Sequence, residues 1–172
     1  MSADAGHASA VLLAGRTDRE LIDFVLCEAR LLDEGRLEAW LDLYAEDGGY
    51  WMPLAPGQTD ARLHASLMHE DKLLLKIRVE RLRGPRTFSQ QPPSRCHHLL
   101  QVPTVESRDE EAGVYLTRCA FHYIETRRDE QQLLAGWATH TLVDTPAGLR
   151  IRLKRVDLVN CDAAFGNLQL FV

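Results

Sequence analysis

The fold turns on the stretch Leu149-Arg150-Ile151-Arg152-Leu153-Lys154-Arg155-Val156-Asp157-Leu158-Val159. Leu149, Ile151 and Leu153 alternate with Arg150, Arg152 and Lys154, the period of a strand with one apolar face and one polar face. The phase then slips, because Val156 and Leu158 stand an odd number of residues from Leu153. A β-bulge near Lys154–Arg155 restores the apolar face, and such bulges bend a sheet. Upstream the same period of two predicts three more strands, at 95–107, 113–127 and 131–143, with polar turns at 108–112, 128–130 and 144–148. Pro103 cannot donate to a ladder, so it belongs at an edge or a bulge.

Before residue 95 the period is helical. Thr17-Asp18-Arg19-Glu20 is a capping box. Behind it Leu21, Val25, Glu28 and Leu32 follow one stripe, and Gly35 suits a helix stop. A second short helix is expected over Leu37–Tyr44, with Trp40 and Tyr44 on its apolar face. Asp47-Gly48-Gly49 reads as a turn, Tyr50-Trp51-Met52 as a short strand, and residues 55–67 carry no clear signal. A third helix is expected over Glu70–Leu82, stopped by Gly84-Pro85, and Gln90–Ser94 reads as a loop. Helices first and an antiparallel meander second is the α+β pattern. A curved sheet with helices against its concave side makes an open cone.

Composition excludes several classes. The chain has 172 residues (19.5 kDa), 45% hydrophobic and 26% charged, which fits one soluble globular domain. Residues 1–16 read as a flexible arm and 17–172 as a single domain. Apolar runs such as Ala10–Ala14 and Leu73–Leu75 are too short for a membrane helix. The charge of −5 disfavours nucleic acid as a partner. It is unevenly spread: residues 17–47 carry three basic and ten acidic side chains, residues 72–86 six basic and one acidic. Cys27, Cys96, Cys119 and Cys161 form no C-x-x-C pair and are expected as free thiols in a reducing cytoplasm.

The chemistry-bearing residues give one decoy and one candidate. Cys96-His97-His98 and Cys119-Ala120-Phe121-His122 carry the two Cys and two His of a Rieske centre. Cys119 and His122, three apart in a strand, must point to opposite faces, and no Gly-rich loop follows either pair. His64, His69 and Asp71 hold the ligand types of a mononuclear iron site, but they read as a solvated helix start. His7, His122 and His140 read as ordinary surface or hydrogen-bonded core histidines. The candidate is a pocket acid–base set, Asp71 (or Asp47) with His98 and Tyr50, since apolar burial raises a carboxyl pKa toward neutrality.

Several segments together resemble the small (β) subunit of bacterial aromatic-ring-hydroxylating (Rieske non-haem iron) dioxygenases. They are Glu28–Arg36, Trp40-Leu41, Tyr50–Pro53, Asp71-Lys72, Arg78–Leu82, Pro92–Arg95 with His98, Lys154–Asn160 and Asn167-Leu168. His97 stands where the family often has an Arg, and Val102-Pro103 where it often has an Asn. The resemblance implies a cystatin-like (nuclear-transport-factor-2-like) cone. It further implies a noncatalytic scaffold with no cofactor of its own. The Rieske 2Fe-2S cluster, mononuclear iron and substrate pocket are then expected in a large α subunit, three α over a trimer of this chain. Candidate contact surfaces are the sheet's outer face, Lys72–Arg86 and Leu168–Val172. The competing expectation on the same cone is a stand-alone isomerase or dehydratase using Asp71, His98 and Tyr50.

Overall fold

The computed structural model describes residues 15–84, 92–163 and 170–172. Most of the arm expected over 1–16, with His7, and residues 85–91 and 164–169 lie outside the described residues.

Helix α1 (Asp18–Asp33) begins at the expected box: Thr17 Oγ1 accepts from Glu20 N–H at 3.3 Å, and Glu20 Oε2 accepts from Thr17 N–H at 2.8 Å. It ends at Gly35, whose φ of 66° lets Gly35 N–H and Arg36 N–H turn back to Leu32 and Leu31 carbonyls. Helix α2 (Leu37–Leu41) is shorter than expected, because Tyr44 opens strand β1 (Tyr44–Pro53) by pairing with Ile151.

Asp47-Gly48-Gly49 therefore lies inside β1, not in a turn. The register jumps there from Tyr44↔Ile151 to Gly49↔Leu153, and a Cβ on Gly48 would sit 2.8 Å from two carbonyl oxygens. Strand β2 (Ser66–Asp71) extends into the residues read as the start of the third helix: Glu70 pairs with Tyr50, and Asp71 Oδ1 caps α3 (Lys72–Arg83) by accepting from Leu74 N–H at 2.9 Å. Alternation over only six residues of β2 is too brief a signal to separate from loop.

The stretch 95–107 falls in two strands, β3 (Arg95–Leu100) and β4 (Thr104–Asp109), which follow one another end to end along the same edge of β5 (Val114–Arg127). Pro103 lies in the gap between them, where no ladder donor is needed. Strands β5, β6 (Glu130–Thr145) and β7 (Gly148–Leu158) form long antiparallel hairpins, the second closed over Pro146-Ala147. The sheet order is β2-β1-β7-β6-β5-β3, with β4 pairing β5 beyond the end of β3. It is mostly antiparallel, but β1 runs parallel to β7, a return that the interposed helices and β-strands make possible.

The bulge of β7 falls at Arg152, two residues earlier than expected: Leu142 pairs with Ile151 and Thr141 with Leu153, leaving Arg152 unpaired. The shift turns Leu153 outward and sends Lys154, Val156 and Leu158 to the concave side, where Lys154 is 2% exposed. At Gly136 the neighbouring strand comes so close that a Cβ would run into the Asp157 carbonyl oxygen. Helices α1–α3 pack on the concave side, and the core they close is dominated by Leu21, Trp40, Tyr44, Tyr50, Tyr123 and Ile151. No described helix is long and apolar enough to cross a membrane.

Candidate functional site

The concave face holds a buried polar cluster. Glu28 sits on the apolar stripe of α1, so folding carries its carboxylate into the cone along with Val25 and Leu32. It meets Lys154 of β7, whose Nζ lies 2.8 and 3.1 Å from the two carboxylate oxygens. Trp40 Nε1–H donates to the same carboxylate at 2.6 Å, and His140 Nε2 of β6 stands 3.6 Å away, just beyond hydrogen-bond length. Burial by itself would raise the Glu28 carboxyl; the Lys154 charge and the His140 ring overturn that and hold it well below the ordinary range. His140 moves down instead, because burial disfavours its charged form more than Glu28 favours it. The cluster is thus one ion pair flanked by a neutral imidazole. Lys154 also lies 5.7 Å from the Tyr50 ring centroid.

The same interior is sealed by the chain itself. Phe171 stacks on Trp40 with centroids 4.2 Å apart and meets Tyr50 edge-on at 5.8 Å. Tyr50 Oη donates to the Val172 carbonyl at 2.8 Å and accepts from Val172 N–H at 3.3 Å. Glu28, His140 and Lys154 are each no more than 2% exposed, so solvent reaches none of them. Burial first, and Glu28's charge second, push the Tyr44 and Tyr50 hydroxyls well above their ordinary value.

The residues read as an acid–base set do not share a pocket. Tyr50 is locked to Val172 inside the cone. Asp71 is exposed, opposite Gly49, and caps α3. Asp47 pairs with Arg152 at 3.3 Å on the surface. His98 lies on β3, separated from β1 by the three strands β7, β6 and β5, and its Nδ1 meets Asp33 Oδ1 at 2.6 Å while its backbone N–H donates to both carboxylate oxygens. Asp33 is the last residue of α1, so this contact pins the helix end to the sheet. Burial raises the Asp33 carboxyl, but the bonds from His98 more than offset this and leave it low.

Among the described residues, one group has ligand atoms that converge, Asp33, Cys96 and His98, all within 4.8 Å. Asp33 is already taken up by three bonds from His98, and burial pushes the Cys96 thiol up to about 12, so the group reads as a structural lock. A Rieske cluster does not fit these residues. Cys119 is buried on the concave face with its thiol 3.0 Å from the Gln101 carbonyl, and His122 is exposed on the convex face. His69 and Asp71, on β2, are exposed and do not gather with other ligands.

Sequence reasoning missed Glu28, His140 and Lys154 as one unit. The signal was an acid on the apolar stripe of α1 and a histidine in the inward phase Leu134, Ala138, His140, Leu142 of β6.

A curved sheet wrapped round helices defines a cystatin-like cone. The backbone overlays an NTF2-like protein of cystatin-like fold from Novosphingobium aromaticivorans with a TM-score of 0.54 at 21% identity, covering 83% of this chain and 82% of that one. The match is closer to the β subunit of a benzoate 1,2-dioxygenase from Burkholderia mallei, with a TM-score of 0.74, 24% identity and coverage of 92% and 100%. In sequence, the chain is 30% identical over 147 residues to a 2-halobenzoate 1,2-dioxygenase small subunit from Burkholderia cepacia, covering 82% of this chain and 87% of that one. The family model described as ring hydroxylating beta subunit matches residues 27–163. The chain belongs to the family of ring-hydroxylating dioxygenase β subunits.

Proposed function

We propose that this chain is the structural, noncatalytic small subunit of a multicomponent aromatic-ring-hydroxylating dioxygenase, a cytoplasmic protein that supports the assembly of large catalytic subunits. The observation that carries the reading is the state of the cone: its charged groups face one another, and Phe171 and Val172 close over them. An acid–base enzyme on this scaffold needs a carboxylate, imidazole or phenol free to meet substrate. Here Tyr50, His98 and Asp71 stand at three separate places, each holding another part of the chain. The assembly is a trimer of this chain beneath three large subunits, and the Rieske cluster and mononuclear iron belong to the large subunit. The free state of all four cysteines suits a reducing compartment.

The test is co-expression with the large oxygenase subunit, followed by mass and iron determination. A complex of six chains, with iron lost when the large subunit is omitted, is the expected result. Should the chain bind no large subunit and by itself turn over a small carbonyl compound, the scaffold reading is wrong.

A further inference from the structure

Four polar side chains stand in one row across the concave face of the sheet. Thr117 of β5 is paired with His140 of β6, His140 with Lys154 of β7, and Lys154 with Tyr50 of β1. All four are buried. Tyr50 is bonded to Val172 and Lys154 to Glu28, so that end of the row is satisfied. The other end is not. Thr117 Oγ1 and both ring nitrogens of His140 are buried, and none has a hydrogen-bond partner among the described residues. Buried polar atoms are nearly always bonded to protein or to ordered water, because a bare one loses its hydration with nothing in return.

The Glu28 carboxylate decides the state of the ring. It stands 3.6 Å from His140 Nε2. A proton on Nε2 points toward that negative charge, whereas a bare Nε2 would set its lone pair against it. Burial holds the ring neutral, so a proton on Nε2 leaves Nδ1 as an acceptor in need of a donor. Thr117 sits directly across the β5–β6 pair, where opposite Cβ atoms are roughly 5 Å apart. Its hydroxyl nevertheless does not bond the ring. The next inward pair on the same two strands is Cys119 and Ala138, and the Cys119 thiol is turned to the Gln101 carbonyl at 3.0 Å. Neither side chain is long enough to reach over and fill the space between Thr117 and His140. What belongs there must donate to Nδ1 and exchange a hydrogen bond with a hydroxyl. Glu28 and Lys154 already cancel each other, so no net charge calls for an ion.

We propose that one internal water binds between Thr117 Oγ1 and His140 Nδ1, fixing His140 as the tautomer whose Nε2 proton faces Glu28. A buried water is held by roughly two to four polar groups, and these two supply an acceptor and a hydroxyl that can both give and take. His140 is then a positioning residue that aims a further N–H at the carboxylate already held by Lys154 and Trp40. The site belongs to the single chain and does not depend on which subunits the chain meets.

The experiment has two readouts on the full chain, alone or in complex with the large subunit. A crystal structure at a resolution that shows ordered water is expected to place one oxygen about 2.7–3.2 Å from both Thr117 Oγ1 and His140 Nδ1. Nitrogen-15 labelling of the histidine rings, read by long-range proton–nitrogen NMR, is expected to show one of the seven histidines neutral, with Nε2 protonated and Nδ1 a bonded acceptor. H140Q assigns that ring by the loss of its signals. T117V keeps the side-chain shape and removes the hydroxyl, so the water peak should be lost and the Nδ1 resonance should move to that of an unbonded acceptor. T117S keeps the hydroxyl and should retain both. Circular dichroism checks folding, and the wild-type map and tautomer decide the matter even where T117V does not fold. A wild-type map with no oxygen at this place, or with Thr117 Oγ1 bonded directly to Nδ1, overturns the proposal. So does a proton found on Nδ1, or a folded T117V that keeps the wild-type Nδ1 resonance.

Discussion

Replacing Lys154 by Met removes the cation from a carboxylate that has nowhere to go. Glu28 and Lys154 are each 2% exposed, and Lys154 reaches both oxygens of the carboxylate at 2.8 and 3.1 Å. Met keeps most of the stem volume, so the loss is electrostatic more than steric. Breaking a buried pair by removing one member costs about 3–5 kcal/mol, since the other charge stays buried and uncompensated. For a domain of this size, that lowers the melting temperature by roughly 10 °C. The double variant E28Q/K154M removes both charges while keeping an acceptor for Trp40 Nε1–H. It should recover most of the loss, because a buried pair exchanged for neutral groups is often nearly neutral in stability.

The pH dependence follows from the direction of the Glu28 shift. In the native protein the carboxyl is depressed, so it contributes stability above the unfolded-state value of about 4.3, lost as pH falls through the lower folded-state value. In K154M the burial that opposes ionisation is no longer outweighed by a cation. The folded-state value then rises above the unfolded one, and the variant gains relative stability as acid protonates Glu28. The gap between K154M and wild type should therefore be widest near pH 8 and shrink toward pH 5. Urea denaturation at fixed protein concentration between pH 5 and 8 reads it, the fixed concentration removing any contribution from assembly. A gap below about 1 kcal/mol at pH 7.5, a gap independent of pH, or a double variant no better than the single one would refute the reasoning.

Three further outcomes are expected. F171A removes a fully buried ring stacked on Trp40 and should cost about 3–5 kcal/mol in urea denaturation. G136A forces a methyl group against the Asp157 carbonyl at the β6–β7 crossing, so amides along that pair should exchange with deuterium faster than in wild type. Burial lifts the Cys96 and Cys119 thiols to about 12 and about 11, so iodoacetamide at pH 8 should leave both unlabelled in the native protein and label them once urea unfolds it, as peptide mass spectrometry would report.

Local signals fixed the parts of the fold that local physics governs. The Thr17–Glu20 box, the Gly35 stop and the long β5–β6–β7 hairpins are each written in a few adjacent residues, and the structure has them where the pattern places them. What could not be read locally depended on a second segment. The slip between Leu153 and Val156 announced a bulge in β7, but its position is set by which residue β6 leaves unpaired, and that is Arg152. Two residues of displacement were enough to reverse the facing of Lys154. The β1–β7 parallel pairing and the Asp33–His98 lock join segments more than 60 residues apart, and no spacing in either partner announces the other.

An acid on the buried stripe of α1 and a histidine on the buried phase of β6 set a condition that the rest of the chain must meet. An isolated carboxylate does not remain charged in such a place, so a cation has to arrive from a third element. With Arg150 and Arg155 tied to the strand's other face, Lys154 is the basic residue of β7 that can arrive, and only a bulge before it turns it inward. The bend of the sheet and the neutralisation of Glu28 are thus one requirement. Once it is met, and Phe171 and Val172 are seated, Glu28, His140 and Lys154 are each buried among the described residues. Exposed apolar side chains among the described residues lie outside the cone, Leu99, Leu133, Trp137 and Val159 on the sheet and Leu73, Leu74 and Ile77 on α3. Substitutions inside the cone should accordingly move stability with assembly unchanged in the folded fraction, and substitutions at those exposed positions should leave the stability of the single chain little changed.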